Sequence, residues 1–225
     1  MTRLLLLAAL LFTLPASAAE QSYLAPAQVD LLRLLPSPPS NNGPELADVL
    51  EAQRARTPER TAQAAADAQE TVFAMFRAVL GDRFEPAAAP LATALFERLG
   101  DTEEAVVGPA KAGFARKRPF LESPDVQPAV PTSKSGSYPS GHATRVTLEG
   151  IVLASMLPEH RGAIFARMAD YAQSRLIGGV HYPSDLEAGA RAGTAAAAVL
   201  FDDAAFQSDY GPARHQLRAA LGLPE

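Results

Sequence analysis

The chain contains no cysteine and no tryptophan. The first absence excludes a disulfide framework, a thiolate nucleophile and a cysteine-ligated metal. No spacing of the His-Glu-x-x-His kind offers a metal site, so neither a metal nor another cofactor is expected. A basic field is lacking too: 20 lysines and arginines stand against 25 aspartates and glutamates, for a formal net charge of −5. That balance argues against nucleic acid as a partner. No stretch reaches the roughly 18 apolar residues that span a bilayer, so no membrane attachment of the mature protein is expected. Repeats and confident strand patterns are also missing.

What is there begins with a leader. Arg3 precedes an apolar run over residues 4–14, and Ala16-Ser17-Ala18 follows as a small-residue cleavage site. This is the pattern of a secretory signal peptide. Residues 1–18 are therefore expected to be removed after Ala18 or Ala19, and the mature protein to be exported. Residues 19–45 are rich in proline and polar turn formers and predict an extended arm. Its Val29, Leu31, Leu32, Leu34 and Leu35 would pack on the body or on a second subunit.

Residues 46–225 predict one compact all-α bundle, long enough for a sizeable core. The signals place helices over about 44–56, from Thr57-Pro58-Glu59 onward, up to Gly81, and over 86–99. A short helix opening at Asp101-x-x-Glu104 should break at Gly108-Pro109. A long loop over 119–138 precedes helices over 142–156 and 159–175. Ser184-x-x-Glu187 would cap a last long helix, whose small residues from Gly189 to Ala198 allow close packing. The acidic pair Glu103-Glu104 suggests a solvated face, and His160 and His215 suggest surface residues.

Three segments carry chemistry. Lys111 and Arg118 are seven residues apart and would converge on an anion if the segment between them is helical. With Arg116 and Lys117 in the same run, the alternative is a solvated basic patch. Ser140-Gly141-His142 sits where a loop enters a helix, so free N–H groups and a hydroxyl face any anion there. His142 at that lip would protonate a leaving group; otherwise it is a surface histidine on a turn. His181 and Asp185, four apart, can form a pair in which the carboxylate fixes the tautomer and frees the other nitrogen as a nucleophile. Structural His–Asp contacts offer the plainer reading. Arg175 adds a cation six residues upstream of His181.

Taken together, Lys111-x6-Arg118-Pro119, Pro139-Ser140-Gly141-His142 and Ser174-Arg175-x5-His181-x3-Asp185 resemble the tripartite signature of the phosphatidic acid phosphatase type 2 superfamily, which also holds the vanadium haloperoxidases. The longer run from Gly136 to His142 is similar to that of the bacterial class A non-specific acid phosphatases. Ala143, where that class typically has threonine, departs from the pattern, as does the lack of cysteine. The resemblance implies a periplasmic, metal-independent hydrolase of phosphate monoesters. His181 would be the nucleophile, Asp185 its orienting partner and His142 the general acid. Lys111, Arg118, Ser140, Gly141 and Arg175 would hold the phosphate. It also leaves open a homodimer, phosphotransfer to alcohols, and a haloperoxidase built on the same anion cage.

Overall fold

The regular elements among residues 22–225, the part that the computed structural model describes, are all helices. The expected leader and its cleavage site lie outside these residues. The longer helices are α1 (Pro44–Ala55), α2 (Pro58–Ala66), α3 (Val72–Leu80), α4 (Pro90–Phe114), α5 (Gly141–Met156), α6 (Arg161–Ile177), α7 (Pro183–Leu200) and α8 (Ala204–Leu221). Proline opens α1, α2, α4 and α7, where its missing N–H costs no hydrogen bond. Thr57 and Thr71 cap α2 and α3 by accepting from backbone N–H groups. Gly81 ends α3 at φ +81°, a conformation that favours glycine.

The bundle is organised around α5, which packs against α4, α6 and α7. Val146, Leu148, Val152, Leu153 and Met156 of α5 are buried in the main core. Small residues bring α7 against it. A Cβ at Gly189 would stand 2.6 Å from the Ser140 carbonyl oxygen, and one at Gly193 2.5 Å from that of Thr144. This close approach aligns the N-termini of α5 and α7, and the Ser140 N–H donates to the Asp185 carbonyl at 3.0 Å.

The all-α, single-domain expectation holds, with several local corrections. Helix α4 is continuous: neither a new start at Asp101 nor a break at Gly108-Pro109 occurs. Proline removes one internal bond, and a helix packed on both α5 and α8 tolerates that loss. Gly100 within α4 is a place of contact, because its missing Cβ would lie 3.0 Å from the Arg145 guanidinium. The helix ends at Phe114, with Ala115 left-handed at φ 48°. Lys111 therefore sits on the last turn of α4, and Arg118 on the following segment as the N-cap of a single turn at Pro119–Glu122. Helix α7 starts two residues earlier than a cap at Ser184 implies, and its capping carboxylate is Asp185, which accepts from the Tyr182 N–H at 2.8 Å.

The C-terminal segment is the 18-residue helix α8, which buries Phe206, Ala213 and Leu217 and packs on α4. Gly211 and Pro212 at its centre obscure its period in the sequence. The N-terminal arm is not wholly extended, since it forms single turns at Pro26–Gln28 and Leu31–Leu34. Val29, Leu31 and Leu35 join the core, while Leu32 and Leu34 stay about half exposed.

Candidate active site

His181 lies between α6 and α7 and is 2% exposed. Its Nδ1 is 3.2 Å from Oδ2 of Asp185, and its Nε2 is 3.0 Å from Nη1 of Arg118. A guanidinium has donors only. Nε2 therefore carries the lone pair, and the ring proton sits on Nδ1, facing Asp185. Burial pushes the imidazole down to about 3; Asp185 opposes that shift, while Arg118 and Lys111 add to it.

Asp185 is fully buried and richly supplied with donors. Its Oδ2 also accepts from Ser137 Oγ and the Tyr182 N–H, and its Oδ1 accepts from Arg116 Nη1 at 2.6 Å. Burial alone would raise this carboxyl. The bond from His181, its charge, Arg116 and Ser137 together hold it below the usual range. Arg116 is thus part of the site's support rather than of a solvated patch. It is 4% exposed, bonds Glu45 and Ser184 at 2.8 Å each, and stacks on the Tyr182 ring at 4.1 Å.

Lys111, Arg118, Gly141, His142 and His181 line one cavity of about 420 Å³. Lys111 Nζ donates to the Gly136 carbonyl at 2.9 Å, and Arg118 donates to those of Ser135 and Val180 at 3.0 and 3.1 Å. Burial and the nearby Arg118 push Lys111 down to about 8. A Cβ at Gly141 would meet Glu103 Oε1 at 3.0 Å, so glycine lets the backbone close on this wall. Ser140 and Arg175 are buried beside residues of the cavity without lining it. Ser140 Oγ caps α5 by accepting from Ala143 N. Arg175 donates to the Asp67 carbonyl at 2.8 Å, and its buried Nε has no partner among the described residues.

His142 enters the cavity from the first turn of α5. Its Nδ1 is 2.9 Å from Glu70 Oε1, and its ring is stacked on Tyr171 at 6.1 Å. Its Nε2 has no hydrogen-bond partner among the described residues. Burial lowers the imidazole pKa below its ordinary value, and Glu70 opposes that shift. The link from α2 to α3 that delivers Glu70 is pinned by Tyr171, which donates to the Gln69 carbonyl, and by Arg145, which donates to that of Glu70. Glu103, expected on a solvated face, is buried against Arg145, and burial raises it to about 7. His160 and His215 do not line the cavity. Among the described residues no group of three or more His, Cys, Asp or Glu is arranged to hold a metal ion.

Sequence reasoning missed Glu70, Ser137 and Arg116. Ser137 lies inside the quoted Gly136–His142 run, so proximity offered a signal. Arg116 was visible only as one charge among several, and Glu70 carries no motif.

Residues 91–207 match the model of the PAP2 superfamily. The chain is 33% identical over 156 residues to an acid phosphatase of Zymomonas mobilis, a match spanning 67% of this chain and 58% of that protein. It is 31% identical to a non-specific acid phosphatase of Salmonella typhi, across 92% of this chain and 91% of the relative. A non-specific acid phosphatase of Providencia stuartii is 29% identical over 84% of this chain and 81% of its own. The crystal structure of a transmembrane PAP2 type phosphatidylglycerolphosphate phosphatase from Bacillus subtilis shares the fold, with a TM-score of 0.54 at 19% identity over 69% of this chain and 81% of that one. Among the described residues of the present chain, no helix is long and apolar enough to cross a membrane.

Proposed function

Since the chain belongs to the PAP2 superfamily, we propose that it is an exported, metal-independent acid phosphatase that hydrolyses phosphate monoesters of varied alcohols through a phosphohistidine on His181. One observation carries the reading: the His181 lone pair faces a cation at 3.0 Å in a cavity that also holds Lys111 and His142. In the reaction, Nε2 attacks phosphorus and the P–O bond to the leaving alcohol breaks. His142 gives its Nε2 proton to the departing oxygen, and Glu70 keeps the other nitrogen engaged. Asp185 balances the positive charge that develops on His181. Water then attacks phosphorus, the P–N bond breaks, and His142 takes back a proton as phosphate leaves.

Phosphoryl transfer asks the protein mainly for positioning and charge stabilisation. Lys111, Arg118 and Arg175, with Ser140 and the backbone at Gly141, would hold the phosphoryl oxygens. Each well-placed donor is worth on the order of 10²–10³ in rate, and protonation by His142 about 10²–10⁴. These fixed cations supply the charge that a metal provides elsewhere. The leader supports export to the periplasm; N-terminal sequencing of exported protein should begin at Ala19 or Glu20.

The test is hydrolysis of p-nitrophenyl phosphate with excess EDTA, comparing the natural protein with His181→Ala. EDTA-resistant turnover lost in the variant is expected. Turnover that survives the substitution, or needs an added metal, would overturn the reading.

A further inference from the structure

A second cavity of about 360 Å³ adjoins the phosphate site, and Glu70 and Glu104 line both. Its other acidic lining residues are Glu97, Asp101 and Glu149. Among the described residues Arg145 is the sole cation lining it, and that guanidinium is engaged by Glu103 Oε2 and by the carbonyls of Gly100 and Glu70. Glu149 supplies an independent sign of a ligand. It is 1% exposed, and its Oε2 is buried with no hydrogen-bond partner among the described residues. Burial holds this carboxyl well above the ordinary carboxylate range; a buried polar atom left unpaired is costly, and an incoming cation would favour the charged form.

The remaining wall decides what kind of cation fits. Val72, Phe73 and Phe96 contribute apolar and aromatic surface. Such surface suits an alkylated ammonium, which is attracted to ring faces and needs no tight hydration. A hard metal ion would want several converging oxygens, and the described residues present no such group. The position matters as well. Glu70, which joins the two cavities, holds His142, the residue assigned to the leaving group. The second cavity therefore lies toward the leaving alcohol rather than the phosphate.

We infer that this acidic cavity is a leaving-group subsite for an organic ammonium group, so that phosphate esters of cationic amino alcohols are preferred over neutral esters of the same shape. This rests on the phosphatase reading above. The phosphate end is held by cations and the ammonium end by carboxylates, so a zwitterionic ester matches both cavities at once.

The test pairs 2-(trimethylammonio)ethyl phosphate with its neutral isostere, 3,3-dimethylbutyl phosphate. The cationic ester should show a kcat/KM about tenfold higher. The double variant Glu97→Gln/Asp101→Asn should bring that ratio close to one. A ratio near one in the natural protein, or a high ratio untouched by the double variant, would overturn the inference. Direct binding of free choline, read by ligand-observed NMR against 3,3-dimethylbutanol, separates the subsite from the chemistry. If neither these esters nor p-nitrophenyl phosphate is hydrolysed, the phosphatase reading falls. Choline binding weakened in the double variant and in Glu149→Gln would still support the subsite, whereas no choline binding would sink it.

Discussion

Nη1 of Arg118 stands 3.0 Å from Nε2 of His181. Asp185 meanwhile occupies the opposite ring nitrogen. The contact fixes which nitrogen holds the lone pair. In the proposed reaction a phosphate ester draws the guanidinium onto its own oxygens, and charge-assisted bidentate contact with phosphate favours that exchange.

The pH dependence of kcat/KM follows from the two histidines. His181 must be neutral, and burial pushes it to about 3. His142 must be protonated, and burial lowers its pKa below the ordinary value of about 6.5. A bell is therefore expected, with its acid limb near pH 3 and its alkaline limb below about 6.5. In His142→Ala the contribution of that histidine to the alkaline limb should vanish. Stability has its own sign. Both folded-state pKa values lie below those of the unfolded chain, so unfolding takes up protons, and stability is lost as pH falls from about 6.5 toward 3. A rate profile that peaks at alkaline pH would contradict these assignments.

The Glu70–His142 contact of 2.9 Å predicts a graded effect on leaving groups. His142→Ala should cost about 10²–10⁴ on alkyl phosphates and much less on aryl phosphates, whose alcohols leave without protonation. Glu70→Gln keeps the shape but removes the charge that holds His142 protonated. It should show the same alkyl-selective loss, smaller in size, with the alkaline limb moved to lower pH. Equal losses on both ester classes would remove His142 and Glu70 from these roles.

Arg116 positions Asp185 and touches no reacting atom in this account. Arg116→Met leaves Asp185 Oδ1 and Glu45 without their shared cation, and breaking a buried pair costs about 3–5 kcal/mol. Arg116→Lys, which keeps the charge, should be milder in both stability and kcat. The readout beyond stability is the acid limb of the pH profile. Without Arg116, Asp185 interacts more strongly with His181, and the limb should move to higher pH. An unshifted limb in a folded Arg116→Met protein would leave Arg116 with a structural role alone.

Gly189 tests how packing builds the site. A methyl group there meets the Ser140 carbonyl at 2.6 Å and Ala143 Cβ at 2.7 Å. Gly189→Ala should cost about 1–3 kcal/mol through overpacking and lower the melting temperature by several degrees. It should also reduce kcat by displacing Ser140 from the Asp185 carbonyl. A variant as stable and active as the natural protein would show that α5 and α7 can separate freely.

Much of this architecture was legible in the sequence because prolines, threonine caps and helical periods mark most helices locally. The exceptions have local causes as well. Gly108-Pro109 inside α4 reads as a break, yet packing on neighbouring helices carries the helix through, just as α8 runs on across Gly211-Pro212. At the site, the residues with motif spacing were visible, while their supports were not. Glu70 and Arg116 act across 72 and 69 residues of chain, on His142 and Asp185 respectively, and no local pattern encodes such pairings. The fate of Glu103 was hidden too, since only the fold reveals that Arg145 lies against it.

The most direct measurement is to trap the phosphoenzyme. Natural protein is mixed with ³²P-labelled p-nitrophenyl phosphate, quenched within milliseconds in alkali and digested, and the labelled peptide is identified. The account predicts an acid-labile, base-stable phosphoramidate on the peptide containing His181, absent from His181→Ala. Label on another residue, or burst-free turnover with no labelled peptide under conditions that preserve a phosphohistidine, would contradict it.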